Sequence, residues 1–135
     1  MEDLYNRTIR KLAEQASGAG RLARVDVSVM RDSPLCGDRV TLDLVMHVGR
    51  VAKVGHEVNG CILCQASAAV IGLHATGKSG DEIRQAAAEL KTMLKNAGPV
   101  PSGWAELACF APVGGHASRH GCVLLPFEAL VAALG

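Results

Sequence analysis

Three of the chain's five cysteines stand where a thiol can do chemistry. Gly60-Cys61-Ile62-Leu63-Cys64-Gln65-Ala66-Ser67 is an alternating strand pattern that ends at a glycine and turns into a helix carrying cysteine. A thiol at a helix start faces unpaired backbone N–H groups and the positive end of the helix dipole. Both favour thiolate, the form that binds metal or attacks sulfur. Cys36 lies in the loop-forming stretch Arg31-Asp32-Ser33-Pro34-Leu35-Cys36-Gly37-Asp38, with a carboxyl two residues on. Cys122 follows Ser118-Arg119-His120-Gly121 at the approach to the last apolar segment. We expect the fold to bring Cys36, Cys61 and Cys122 together.

Cys61 and Cys64 also stand one helical turn apart, so that both sulfurs can share a face. An added metal ligand, a relay thiol and a redox pair are the functional readings of Cys64. The weightier one is a small residue packed against the sheet, because buried free cysteine is common. Cys109, in the apolar run Leu107-Ala108-Cys109-Phe110, is read the same way. Among the histidines, His47 and His56 fall on strand or turn positions and are expected to face solvent, and His74 falls on the helix after Cys61. His120 is the candidate proton acceptor or substitute ligand. Arg119 offers a fixed charge to hold Asp38 or steady a thiolate, against the plainer reading of a surface ion pair. Asp38 could equally form an Asx-turn after Gly37, which a ligand role does not exclude.

The elements that must position these groups are legible from periodicity. Leu4, Ile9, Leu12 and Ala16 predict a helix over 2–16, stopped by Ser17-Gly18-Ala19-Gly20. Val25, Val27 and Val29 predict a first strand; Val40, Leu42, Leu44 and Met46 a second, turned at Gly49-Arg50; and Val51 to Val58 a third. Together they make an antiparallel meander. Ala66, Ala69, Val70 and Leu73 mark a helical packing stripe running to about Thr76-Gly77-Lys78. Ser79-Gly80-Asp81-Glu82 is a helix start, followed by an apolar face of Ile83, Ala86, Ala87, Leu90, Met93 and Leu94. A short helix is expected from Trp104 to Phe110, broken at Pro112 to Gly115, and Pro126 suits the first turn of a closing helix. The fold class is therefore α+β, a small three-stranded antiparallel sheet covered on one face by helices.

Composition sets the outer bounds. A chain of 135 residues is expected to form one domain, 1–135, and with one Trp, one Tyr and two Phe its core must be aliphatic. A net charge of +1 with scattered arginines gives no footprint for nucleic acid. The acidic start Met1-Glu2-Asp3 does not read as a signal peptide, which points to a cytoplasmic protein. No membrane partner is expected, because Cys122 to Leu134 is short and interrupted by Pro126 and Glu128. In a reducing compartment an odd number of cysteines suggests metal, sulfur or redox chemistry rather than a disulfide framework.

With the elements placed, the chain resembles the U-type iron–sulfur cluster assembly proteins: the NifU amino-terminal domain, IscU and SufU. The residues that carry the resemblance are Cys36-Gly37-Asp38, Gly60-Cys61 followed by Ala66-Ser67-Ala68, and Arg119 three residues before Cys122. The resemblance implies that Cys36, Asp38, Cys61 and Cys122 bind zinc or a nascent iron–sulfur cluster. It also implies that a cysteine, with Cys122 the candidate, accepts persulfide sulfur from a cysteine desulfurase, and that recipient apo iron–sulfur proteins are the further partners. The activity implied is that of a scaffold or sulfurtransferase-type acceptor. Three thiolates and a carboxylate complete a tetrahedral zinc site whose hard oxygen is the most exchangeable ligand.

Two departures steer the branch. The Leu-Pro-Pro-Val-Lys motif and the histidine directly before the last cysteine, features of the branch that works with a dedicated Hsp70, are missing; Gly121 precedes Cys122. The stretch from about Lys78 to Trp104 is similar to the insertion of the zinc-binding SufU branch, as is Arg119. The competing function is a thiol-disulfide oxidoreductase using Cys61 and Cys64, which requires an exposed low-pKa thiol and no metal. A purely structural zinc module accounts for the three cysteines but leaves the carboxyl without a reason.

Overall fold

The computed structural model describes residues 5–34 and 37–135, so expectations for residues 1–4 and for Cys36 lie outside the described residues. Three antiparallel strands, β1 (Val27–Asp32), β2 (Arg39–His47) and β3 (Arg50–Asn59), form a meander in the order β1-β2-β3. Around them stand helices α1 (Arg7–Gln15), α2 (Ile62–His74), α3 (Gly80–Asn96) and α4 (His120–Leu134). The α+β architecture is the one expected.

The register follows from the alternation on β2. Val40, Leu42 and Leu44 are fully buried towards the helices. Asp43, between them, pairs with Gly55 on the outer face. The β2–β3 turn is Val48-Gly49, with φ of 50° and 74°, the left-handed pair that a two-residue hairpin requires. Valine is an unusual occupant of such a position, and its side chain is 86% exposed. On the outer face the segment after α1 crosses the sheet where Gly55 leaves room: a Cβ there would lie 2.6 Å from the Gly20 carbonyl oxygen. Asp43 fixes this crossing, accepting from Arg21 Nε (2.7 Å), Ser28 Oγ (2.7 Å) and the Leu22 N–H (3.1 Å). Burial pushes its carboxyl upward, but these donors outweigh that and hold it below the usual carboxylate range.

Helix ends obey local chemistry. Asn6 caps α1 by accepting from the Ile9 N–H, and Ser79 and Glu82 close a reciprocal capping box on α3, at the helix start expected there. α2 is buried along most of its length, with Leu63, Cys64 and Ala66 to Ile71 in the core, although Leu73 is 44% exposed rather than part of the packing stripe. Gly72 lets the chain turn at Ser17 press against α2; a Cβ would stand 1.9 Å from the Ser17 carbonyl oxygen.

Several expectations are corrected. His56 does not face solvent: it is 3% exposed, with Nε2 2.8 Å from the Ser17 carbonyl, because the crossing segment lies over the β3 edge. The helix expected at Trp104 to Phe110 is a 3-10 helix, Ala105–Gly115, which runs through Pro112. Pro126 is not in the first turn of α4 but seven residues in, and the helix continues through it. Consequently Ala117–Leu134 has the length and apolar composition of a membrane-crossing helix, yet half of it is buried in this fold. Trp104 and Phe127 meet edge to face at 5.3 Å where α4 closes the core.

Candidate metal centre

The chemistry-bearing residues converge where three connections meet. The β1–β2 loop is closed by Ser33 N–H donating to the Asp38 carbonyl (2.8 Å) and Gly37 N–H donating to the Ser33 carbonyl (2.9 Å). Gly37 adopts a φ of 72°, which glycine takes at no steric cost. This geometry turns Asp38 inward, 5% exposed. At the end of β3, Gly60 hands the chain to Cys61, the N-cap of α2, whose extended backbone (φ −71°, ψ 170°) leaves its sulfur free of any capping bond. Cys122 stands in the first turn of α4, fully buried.

Donor atoms of Asp38, Cys61 and Cys122 all lie within 4.8 Å of one another. Asp38 Oδ2 is buried with no hydrogen-bond partner among the described residues. Such an atom is costly to bury, by about 1–3 kcal/mol, unless something else satisfies it. A metal ion does so, and the set of two soft sulfurs and one hard oxygen suits zinc or iron. The amino ends of α2 and α4 meet at the same point, so both dipoles favour a negatively charged centre. The residues present fit a metal.

The remaining candidates are placed elsewhere or play other parts. Cys64 is fully buried in the core, which does not favour the Cys61–Cys64 redox pair. Cys109 is half-buried, and burial pushes its thiol up to about 12. His120 is not part of the donor cluster; its Nε2 lies 3.1 Å from both the Val113 and Gly114 carbonyls and ties α4 to the 3-10 helix. Arg119 is half-buried at the α4 N-cap and forms no ion pair with Asp38 among the described residues. His74 pairs with Glu106, whose carboxyl is held below its usual range by that hydrogen bond, and meets Trp104 edge-on. His47 is exposed, as expected.

Residues 4–111 match the family described as the NifU-like N terminal domain. The chain belongs to this family. The match spans Cys36, Asp38 and Cys61, while Cys122 lies beyond it. Among solved structures, a nitrogen-fixing NifU-like protein (N-terminal) from Brucella abortus is 37% identical with a TM-score of 0.94, covering 98% of this chain and 93% of that one. A putative iron–sulfur cluster assembly scaffold protein for the SUF system from Fervidobacterium islandicum AW-1 is 23% identical (TM-score 0.89, covering 98% and 97%). A hypothetical protein is 24% identical (TM-score 0.88, covering 99% and 98%). These last two share the fold. No curated protein matches the sequence significantly.

Membership of the NifU-like family accounts for the U-type resemblance in the sequence. One positional signal was missed there: the small-residue run after Cys61 contains Ser67, fully buried, which donates to the Val123 carbonyl of α4. A polar residue inside an apolar helical stripe was the available hint.

Proposed function

We propose that this single-domain chain is an iron–sulfur cluster assembly scaffold, in which Cys36, Asp38, Cys61 and Cys122 hold zinc or the nascent cluster. The observation that carries the reading is the buried, unpartnered Asp38 Oδ2 beside the Cys61 and Cys122 sulfurs. An orphaned carboxyl oxygen is a poor structural investment and a good metal ligand. Cys36, outside the described residues, is the proposed fourth donor.

Sulfur reaches such a site as persulfide from a cysteine desulfurase, with Cys122 the proposed acceptor and Arg119 a nearby fixed charge. Recipient apo iron–sulfur proteins take the product. Asp38 supplies the hard, exchangeable ligand that lets an incoming thiol displace the protein. The absence of the Hsp70-branch motif and the Lys78 to Trp104 stretch support the SufU-like branch, in which zinc occupies the resting site. The family match and the Brucella neighbour support the assembly role over thiol-disulfide exchange.

The test is anaerobic incubation of the chain with a cysteine desulfurase, cysteine, ferrous iron and a dithiol reductant, which supplies the two electrons that turn persulfide sulfur into sulfide. Iron and acid-labile sulfide bound in equal amounts would support a scaffold, and stimulated desulfurase turnover with zinc retained would support a sulfur acceptor. Either result should be lost in Cys36→Ser, Cys61→Ser and Cys122→Ser. No bound iron, no sulfide and no stimulation would contradict the proposal.

A further inference from the structure

We infer that Gly60 is a positioning residue for the metal centre: its missing side chain is the space into which the Asp38 carboxyl is folded. A Cβ at position 60 would lie 2.7 Å from Asp38 Cγ, 3.0 Å from its Cβ and 3.0 Å from Oδ2. These distances are below or at the limit that real Cβ contacts show, and the crowded atoms belong to a short, buried side chain closed in by the Ser33–Asp38 turn. Gly60 does not adopt a left-handed backbone, so the constraint on a side chain there is space rather than φ. Adding one methyl therefore drives the carboxyl away from the Cys61 and Cys122 sulfurs.

Gly121 is the internal contrast. It too precedes a cysteine of the cluster, but a Cβ there would meet only Ser33 Oγ at 3.7 Å, an ordinary contact. The two Gly-Cys pairs thus differ in kind: the first glycine sets the position of an oxygen ligand, and the second tolerates a side chain. The inference rests on the proposed donor role of Asp38.

The test is zinc affinity, by competition with a chromophoric chelator, for the parent, Gly60→Ala, Asp38→Ala, the double variant and Gly121→Ala. Circular dichroism and urea midpoints follow the fold. Gly60→Ala should bind zinc about 10- to 100-fold more weakly, the range for loss of a group that orients a ligand. The double variant should bind within about twofold of Asp38→Ala alone, since the two act through one carboxyl, and Gly121→Ala should match the parent. Should Gly60→Ala unfold, the double variant, which loses Asp38 Cγ and Oδ2, should regain the fold. Parent-level binding in Gly60→Ala beside weakened Asp38→Ala would overturn the inference alone. So would losses that multiply in the double variant, or a double variant that stays unfolded. Parent-level binding in Asp38→Ala would overturn the donor assignment and this inference with it.

Discussion

Ser67 Oγ on α2 donates a 2.6 Å hydrogen bond to the Val123 carbonyl on α4, so the two helices that carry Cys61 and Cys122 at their amino ends are joined by a polar contact inside an apolar core. The bond sits one residue after Cys122, in a stretch where Pro126 supplies no N–H for the Cys122 carbonyl. Ser67→Ala leaves the Val123 carbonyl without this buried donor. A loss of about 0.5–1.5 kcal/mol in urea denaturation is expected, since the carbonyl keeps its place in the helical ladder of α4, and an unchanged midpoint would show that the contact does not hold the helices.

Asp38 is expected to trade stability for binding. Removing a buried, unpartnered oxygen should stabilise the metal-free protein, so Asp38→Ala in the presence of a chelator should unfold at higher urea, by on the order of 1 kcal/mol. The same variant should gain less than the parent from added zinc. A destabilised metal-free variant would mean that the carboxyl has a structural partner.

How much of this was legible in the sequence depends on which force placed each residue. Period-two alternation in Val40, Leu42 and Leu44 reported burial directly, and the Ser79–Glu82 capping box is a local bond, so both were readable. The burial of His56 is not legible, because the strand alone says nothing of the segment that folds over its edge. Pro126 suits a first turn, where a missing N–H costs nothing; inside α4 the packing of Phe127 and Leu130 overrides that preference. At the site, residue types and order named Asp38, Cys61 and Cys122. The steric role of Gly60 required coordinates, since it arises between residues 22 positions apart in the chain.

The buried His56 imposes a pH dependence. Burial holds its imidazole below the usual pKa of about 6.5, outweighing the Ser17 carbonyl, so the unfolded chain binds the proton more readily. Its contribution is intact above that value and is lost as pH falls through the lower, folded one. The urea midpoint should therefore fall between pH 7 and pH 5, and His56→Gln should flatten that slope. An equal slope in the variant would place the titration elsewhere.

The thiols should differ in reactivity. Cys109, pushed up to about 12 by burial, and Cys64, fully buried, should resist iodoacetamide at pH 8 in the folded protein and react once it is unfolded. Mass mapping of labelled peptides reads this. Rapid native labelling of Cys64 would reopen the Cys61–Cys64 redox pair.

The central claim is that Asp38, Cys61 and Cys122 share one metal. Zinc-edge X-ray absorption on the zinc-loaded protein tests it most directly. The account expects a four-coordinate shell of mixed sulfur and oxygen, with sulfur at about 2.3 Å and oxygen at about 2.0–2.2 Å, the oxygen being displaced or replaced in Asp38→Ala and the sulfur count falling in Cys61→Ser and Cys122→Ser. A shell without sulfur, or one that these substitutions leave unchanged, would contradict it.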